Sequence, residues 1–528
     1  MSPAPRATRK EWIGLVALAL PCLLYAMDLT VLNLAVPHLT ADLKPSSAEL
    51  LWIIDIYGFV LAGALIPMGV LGDRIGRRKL LLTGAAFFGC ASMLAAFAHS
   101  VPFLIAARAC LGVAAATLAP STLSLIRNMF LDDKERTFAI GIWISSFSAG
   151  GAIGPVLGGL LLEYFWWGSV FLLNVPIMAA LLIIGPKLLP EYRDEKAGRP
   201  DIPSALLSLG TVLAVIYGIK RLAQEGLAHP DEIWRALLVI LAGVVIGFFF
   251  VRRQNRLAVP FVDLGLFRNR AFSAALGVNI ASVFAAFGSW LFVAQYIQLV
   301  MGLTPLEAGL WSSPSGFAFI AASMLTPQLL KVARPAYVMG AGLLLTALSF
   351  ALIAQAGNGA NPRDDIALVV VAFVVMSLGL SPVFTLTTDL IVGAVPPERA
   401  GVASGMAETS AEFGGALGIA VLGSVMTALY RRGLDAVLPA DLPAAAAAAA
   451  RDTLGGALAT ADTLGPEAGT ALAAAARSVY IDAFQTISWA CAALTFVAAF
   501  VAMRALRDAR PGSHGSTPDG AVCPDAAQ

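Results

Sequence analysis

Charge is scarce in this chain. Only 13% of its 528 residues are Asp, Glu, Lys or Arg, about half of the roughly 25% that a soluble domain carries. Acids and bases nearly cancel, 34 against 35, which leaves no basic excess for nucleic acid. Cysteine is sparse as well. Cys22, Cys90, Cys110 and Cys491 sit inside apolar runs and Cys523 lies in the polar C-terminal segment. Their spacing gives neither a metal site nor a disulfide framework, and such thiols read as small packing residues. There are four histidines; His38, His99 and His229 fall at loop edges and read as surface residues before proton relays. A G-x-x-x-x-G-K-[ST] loop is missing, which argues against a nucleotide as the energy source.

What the chain has instead is apolar length. Hydrophobic residues make up 58% of it, and a membrane span needs about 20 of them in a row. Such runs lie near 12–36, 50–71, 80–98, 102–126, 138–162 and 167–186, then 203–221 and 234–251. Six more lie near 271–299, 305–330, 335–356, 365–391, 403–429 and 480–504. The expectation is an all-α membrane protein of fourteen helices grouped six, two and six. Residues 12–186 form an N-terminal bundle, 187–270 a linker with an inserted helix pair, and 271–505 a C-terminal bundle. An Ala-rich outer loop at 430–479 interrupts the second bundle, and 506–528 read as a disordered cytoplasmic tail. The run from Trp12 to Val36 is too long for a signal-peptide core and reads as the first span.

The distribution of positive charge tests this count. With fourteen spans both termini share one side, and most of the 35 Lys and Arg residues fall on it. Cytoplasmic loops carry that excess, so both ends are placed in the cytoplasm. Lys220 and Arg221, beside the loop of the inserted pair, are the local exception.

Four acids, Asp28, Asp55, Glu408 and Glu412, fall inside these spans. A carboxylate at membrane depth costs about 2.5–3.5 kcal/mol on insertion scales, so such groups face a polar cavity and mark transport pathways. Span one runs outward and span four inward, which sets Asp28 at a depth similar to Arg108 in the outer half. Asp55 lies in the outer half of span two. Glu408 and Glu412 are four apart, hence on one helix face, in the cytoplasmic half of span thirteen. Two adjacent carboxylates tend to share a proton. Each site also admits a static reading: an ion pair for Asp28 and Arg108, hydration at the membrane boundary for Asp55, and a pair satisfied by backbone donors for the glutamates. Asp389, at the end of span twelve, reads as a solvated boundary residue. The aromatics Trp52, Tyr57, Phe147, Phe292, Tyr296 and Trp311 could stack on a lipophilic cation or simply pack.

Two glycine-rich stretches complete the pattern. The loop after span two reads Gly69-Val70-Leu71-Gly72-Asp73-Arg74-Ile75-Gly76-Arg77-Arg78, where glycine permits a tight turn and close helix approach. Span five contains Gly150, Gly154, Pro155, Gly158 and Gly159; small residues four apart let another helix pack closely, and proline removes a backbone donor.

These stretches carry a resemblance. The loop resembles the G-x-L-(small)-D-R-x-G-R-R motif of the major facilitator superfamily, and span five its antiporter motif, G-x-x-x-G-P-x-x-G-G. Arg108-Ala109-Cys110-Leu111-Gly112 is similar to its R-x-x-x-G motif. The run from Met27 to Pro37, with Trp52-Ile53-Ile54-Asp55-Ile56-Tyr57, resembles the fourteen-span drug:proton antiporters, the group of QacA-, SmvA- and LfrA-like multidrug exporters. The resemblance spans residues 12–505 and departs at Lys331-Val332-Ala333-Arg334, which keeps little of a second Gly-Asp-Arg copy. It implies two six-helix bundles working by alternating access and driven by the proton gradient, with no cofactor and no enzymatic activity. It implies a monomer in the inner (cytoplasmic) membrane that exports lipophilic cations such as quaternary ammonium compounds and dyes. Asp28, Arg108 and Glu408 would couple protons. Asp55, Glu408, Glu412, Tyr57, Phe147, Tyr296 and Trp311 would bind substrate. Gly69, Asp73, Arg74, Gly76, Arg77 and Arg78 would form a conformational latch. A dedicated natural-product exporter and a lipid or cell-envelope translocation factor stand as alternatives.

Overall fold

A computed structural model describes residues 6–43, 45, 47–193, 201–225, 233–257, 260, 262–303, 305–358, 365–396, 400–438, 446–447, 450–451 and 453–507. All regular structure among them is helical. The first six expected spans are α1 (Arg9–Leu43), α2 (Ser47–Ile75), α3 (Arg77–Ala96), α4 (Val101–Met129), α5 (Asp133–Tyr164) and the interrupted pair α6 (Ser169–Leu172) and α7 (Asn174–Leu188). The inserted pair is α8 (Ile202–Glu225) and α9 (Ile233–Gln254). Then come α10 (Arg270–Gln295), which continues as a π-turn over Tyr296–Val300, α11 (Pro305–Val332), α12 (Pro335–Ile353), α13 (Ile366–Gly393) and α14 (Ala400–Asp435). The chain closes with α15 (Leu454–Thr463) and α16 (Pro466–Ala505).

Among the described residues twelve helices are long and apolar enough to cross a membrane. The two long helices outside that set, α5 and α11, stand where the fifth and tenth spans are expected. The last helix differs from expectation at its start. It begins at Pro466 and not near 480, because proline is pre-organised for a first helical turn and the alanines after it favour helix. The segment before it is correspondingly shorter, and α15 folds onto the second bundle through Leu454 and Ala457. Most of the Ala444–Ala450 run and the tail from residue 508 lie outside the described residues.

The two bundles repeat one packing scheme. In the first, α1 packs on α5, α2 on α4, and α3 on α4 and α7; in the second, α10 packs on α14, α11 on α13, and α12 on α13 and α16. The same correspondence relates the two seams between bundles, α2 with α14 and α5 with α11. This is the parallel-repeat architecture of transporters that hold their site at the repeat interface.

The inserted pair breaks the symmetry. Its α8 lies against both α2 and α14, over the first seam, where Trp52 stacks on Tyr217 with ring centres 5.8 Å apart. One end of the pair is pinned by Asp201, which accepts from Arg253 at 2.9 Å and from the Ser204 hydroxyl. Burial pushes the Asp201 carboxyl up, but the Ser204 and Arg253 hydrogen bonds win and hold it below the usual carboxylate range.

Candidate functional site between the bundles

Arg108 is 1% exposed on α4, and an unpaired guanidinium so deep would be prohibitive. Three groups hold it. Nε donates to the Ile53 carbonyl at 2.5 Å, Nη2 to the Ile54 carbonyl at 3.3 Å, and Nη1 to Asp28 Oδ2 at 3.3 Å. Two of the three belong to α2, so Arg108 is anchored on that helix, with the Ile53 carbonyl as its shortest contact. Gly112, one turn further on, lets α4 approach the Tyr57 carbonyl and Val60. The guanidinium lies 5.2 Å from the centre of the Tyr57 ring. Sequence depth alone could not reveal this clamp, because backbone carbonyls carry no residue-type signal.

The second pair of acids sits across the bundle boundary. Glu408 and Glu412 are half-buried on α14. The Tyr25 hydroxyl of α1 donates to Glu412 Oε1 at 2.8 Å, joining the bundles directly. Tyr25 packs edge-on to Phe147 at 5.5 Å and lies 6.3 Å from Tyr57, and Phe147 meets Trp143 at 4.8 Å. Glu408 stands one turn before Glu412 on the same face of α14. The structure therefore brings together Glu408, Glu412, Tyr57 and Phe147, and adds Tyr25 and Trp143. Tyr25 precedes Asp28 by three and Trp143 precedes Phe147 by four, so helical spacing from the chosen residues was the available signal.

Other expected site residues fall elsewhere. Tyr296 stacks on Phe484 at 5.0 Å and donates to Asp365 at 3.3 Å, inside the C-terminal core. Trp311 stands 48% exposed on α11. The Asp55 and Pro155 side chains lie outside the described residues.

The glycine motifs act as contact surfaces. Gly150 faces the Leu23 carbonyl and Ala26, and Gly158 faces Val31, so this stripe seats α1 against α5. Gly154 is buried with them, whereas Gly159 is exposed and meets nothing. In the loop after α2, Gly76 has a φ of 111°, a left-handed conformation that side chains rarely adopt. Arg78 donates to the Leu189 carbonyl at 3.0 Å, and Glu191 accepts from the backbone N–H groups of Arg78 and Lys79. Arg77 pairs with Asp73 and packs against Gly401 at the start of α14, while Gly69 touches the Gly401 carbonyl. Arg74 is half-buried beside them. A Gly69→Val change puts carbons where that carbonyl is. Overpacking of this kind costs about 1–3 kcal/mol, and the expected outcome is a wedge between α2 and α14, read as increased labelling of a cysteine placed at the buried Val402.

Asp389 requires a correction. It is not solvated but 1% exposed, accepting from Arg136 Nε and the Thr137 hydroxyl of α5, each at 2.9 Å. Its position near a span end suggested water; the other bundle covers it. Ser323 of α11 adds a hydrogen bond to the Gly141 carbonyl of α5 at 2.9 Å.

Two bundles related by a repeat, with half-buried acids and aromatics at the boundary between them, have the architecture of a transporter. Residues 18–419 match the profile of the Major Facilitator Superfamily. The chain belongs to that superfamily and is a multi-pass membrane transporter, not an enzyme. It is 42% identical over 502 residues to the multidrug efflux pump LfrA of Mycolicibacterium smegmatis, covering 95% of this chain and 97% of that one. It is 37% identical over 482 residues to the methyl viologen resistance protein SmvA of Salmonella typhimurium, covering 89% and 93%. The tetracenomycin C resistance and export protein of Streptomyces glaucescens is 33% identical over 516 residues, covering 95% and 93%. The fold is shared with the human organic anion transporter MFSD10 (TETRAN), at a TM-score of 0.56 and 15% identity, over 94% of this chain and 99% of that one.

Proposed function

We propose that this protein is a proton-driven multidrug antiporter that exports lipophilic cations such as quaternary ammonium compounds and dyes. It works as a monomer with fourteen spans in the inner membrane, with both termini cytoplasmic and the proton gradient as its energy source. One observation carries the reading: two carboxylates, Glu408 and Glu412, share an inter-bundle site with Tyr25, Tyr57, Trp143 and Phe147. Aromatic faces attract cations, and half-buried carboxylates give the charge that selects them over neutral molecules.

Coupling follows from competition. A proton arriving on an acid removes the charge that holds the cation, so the outward-facing state releases it. Asp28 and Asp55 serve that exchange from the outer half; Glu408 and Glu412 capture cation from the cytoplasmic half. The bundle contacts at Gly69, Gly401, Arg136 and Asp389 lie at the end carrying the basic loops, which corresponds to a state closed toward the cytoplasm.

The relative named for methyl viologen resistance supports cationic cargo. A second reading, a dedicated natural-product exporter, is supported by the relative named for tetracenomycin C export. Single substitutions Glu408→Gln and Glu412→Gln separate the two. Each is expected to lower export of a divalent cation by about tenfold or more, an effect worth about 1.4 kcal/mol or more, while sparing a monovalent one. Equal export of both cations by both variants would sink the assignment of these acids to the substrate.

A further inference from the structure

Tyr57 is wholly buried on α2, yet its hydroxyl has no hydrogen-bond partner among the described residues. A buried hydroxyl left unpaired costs about 1–3 kcal/mol, so it persists where another state of the molecule gives it a partner. Its surroundings identify that partner. The Arg108 guanidinium that lies over its ring also holds Asp28 of α1. Its ring lies under the Arg108 guanidinium on one side and 6.3 Å from the Tyr25 ring on the other. Tyr25 in turn holds Glu412. Tyr57 thus stands between the acid paired with Arg108 and the acid that bridges the bundles.

The Asp28 contact is the kind that can be exchanged. Arg108 has two α2 carbonyls as partners besides Asp28, and its hold on Asp28 is a single contact of 3.3 Å. A carboxylate accepts from a phenol O–H, whereas a carboxylic acid donates its own proton to the phenol oxygen. A tyrosine hydroxyl therefore pairs with both forms and must reorient between them.

We propose that the Tyr57 hydroxyl is a switchable link that takes Asp28 as its partner during the cycle and transmits the change through Tyr25 to the Glu412 bridge. The inference rests on the antiport reading and deepens it, since it assigns the coupling of outer acid to inner acid to two phenols. Tyr57 is in this role a positioning residue and itself carries no charge through the cycle.

Tyr57→Phe removes one oxygen and keeps the ring, and reconstituted protein in liposomes distinguishes the outcomes. Counterflow of a labelled lipophilic cation without a gradient reports binding and alternation; accumulation driven by an imposed pH gradient reports coupling. The expected result is gradient-driven accumulation lowered by about tenfold or more relative to counterflow in the same variant, the scale of a hydrogen bond to a charged group. Tyr25→Phe, which cuts the link on its other side, is expected to lower driven accumulation likewise. If Tyr57→Phe retains driven accumulation, the link is wrong. If counterflow falls by the same factor as driven accumulation while thermal unfolding is unchanged, Tyr57 acts only as a substrate contact and the link is equally wrong. A parent protein indifferent to the gradient would instead overturn the antiport reading itself.

Discussion

Asp389→Ala leaves Arg136 buried without its carboxylate, and loss of closure between the bundles at that end is the expected result. Arg136 and Asp389 are each 1% exposed and 2.9 Å apart. Removing one partner from such a pair costs about 3–5 kcal/mol, because a charge is left without compensation in low dielectric. Asp133 lies 2.9 Å from the same guanidinium but is half exposed, so water screens it and it cannot take over. Arg127, whose charge also acts on this site, adds repulsion once the acid is gone. The measurement is labelling of a single cysteine at Ser323, a buried position that the closed seam protects; labelling faster by tenfold or more is expected in the variant. Exchanging the charges, Arg136→Asp with Asp389→Arg, is expected to recover part of the protection. Unchanged labelling in Asp389→Ala would show that the pair does not close the seam.

Gly150→Val should abolish transport by a different route. A Cβ at Gly150 meets the Leu23 carbonyl and the Ala26 methyl, so α1 must move off α5. Tyr25 and Asp28 ride on the displaced face, while Phe147 and Trp143 stay on α5. The Tyr25 to Phe147 contact is lost and the Tyr25 bond to Glu412 with it. Overpacking costs about 1–3 kcal/mol in stability, which a protein of this size tolerates, but the site needs its aromatic walls within contact distance. Transport at background level with retained membrane insertion is the expected outcome, measured by efflux and by yield of folded protein. Gly159→Val, on the face that meets nothing, is the matched control and should transport normally.

How much of this was legible in the sequence depends on whether the deciding contact was local. Helix positions follow from apolar run length, and the packing relates α1–α7 to α10–α16 while α8 and α9 pair with each other. Asp28 and Arg108 could be matched because both sit at similar depth in spans of opposite direction. The glutamates on α14 were conspicuous as two acids on one helix face. Asp389 was misread because its partner lies 253 residues earlier, and no periodicity links the end of α13 to the start of α5. Tyr25 was overlooked for a related reason: its role comes from Glu412, 387 residues away. Tyr296 was misleading in the opposite sense, since an aromatic in an apolar span says nothing about which face it occupies. The start of α16 was legible in Pro466 and the alanines that follow, but a helix can begin well before the apolar run that marks a span.

Gradient dependence tests the central claim most directly. Purified protein in liposomes, loaded with a fluorescent lipophilic cation and exposed to an imposed pH gradient, should move the cation against the direction of proton flow. The rate should rise with the size of the gradient, collapse with an uncoupler, and fall to background in Asp28→Asn. A neutral analogue of the cation should be transported poorly. Cation movement at the same rate with and without the gradient would contradict proton-driven antiport.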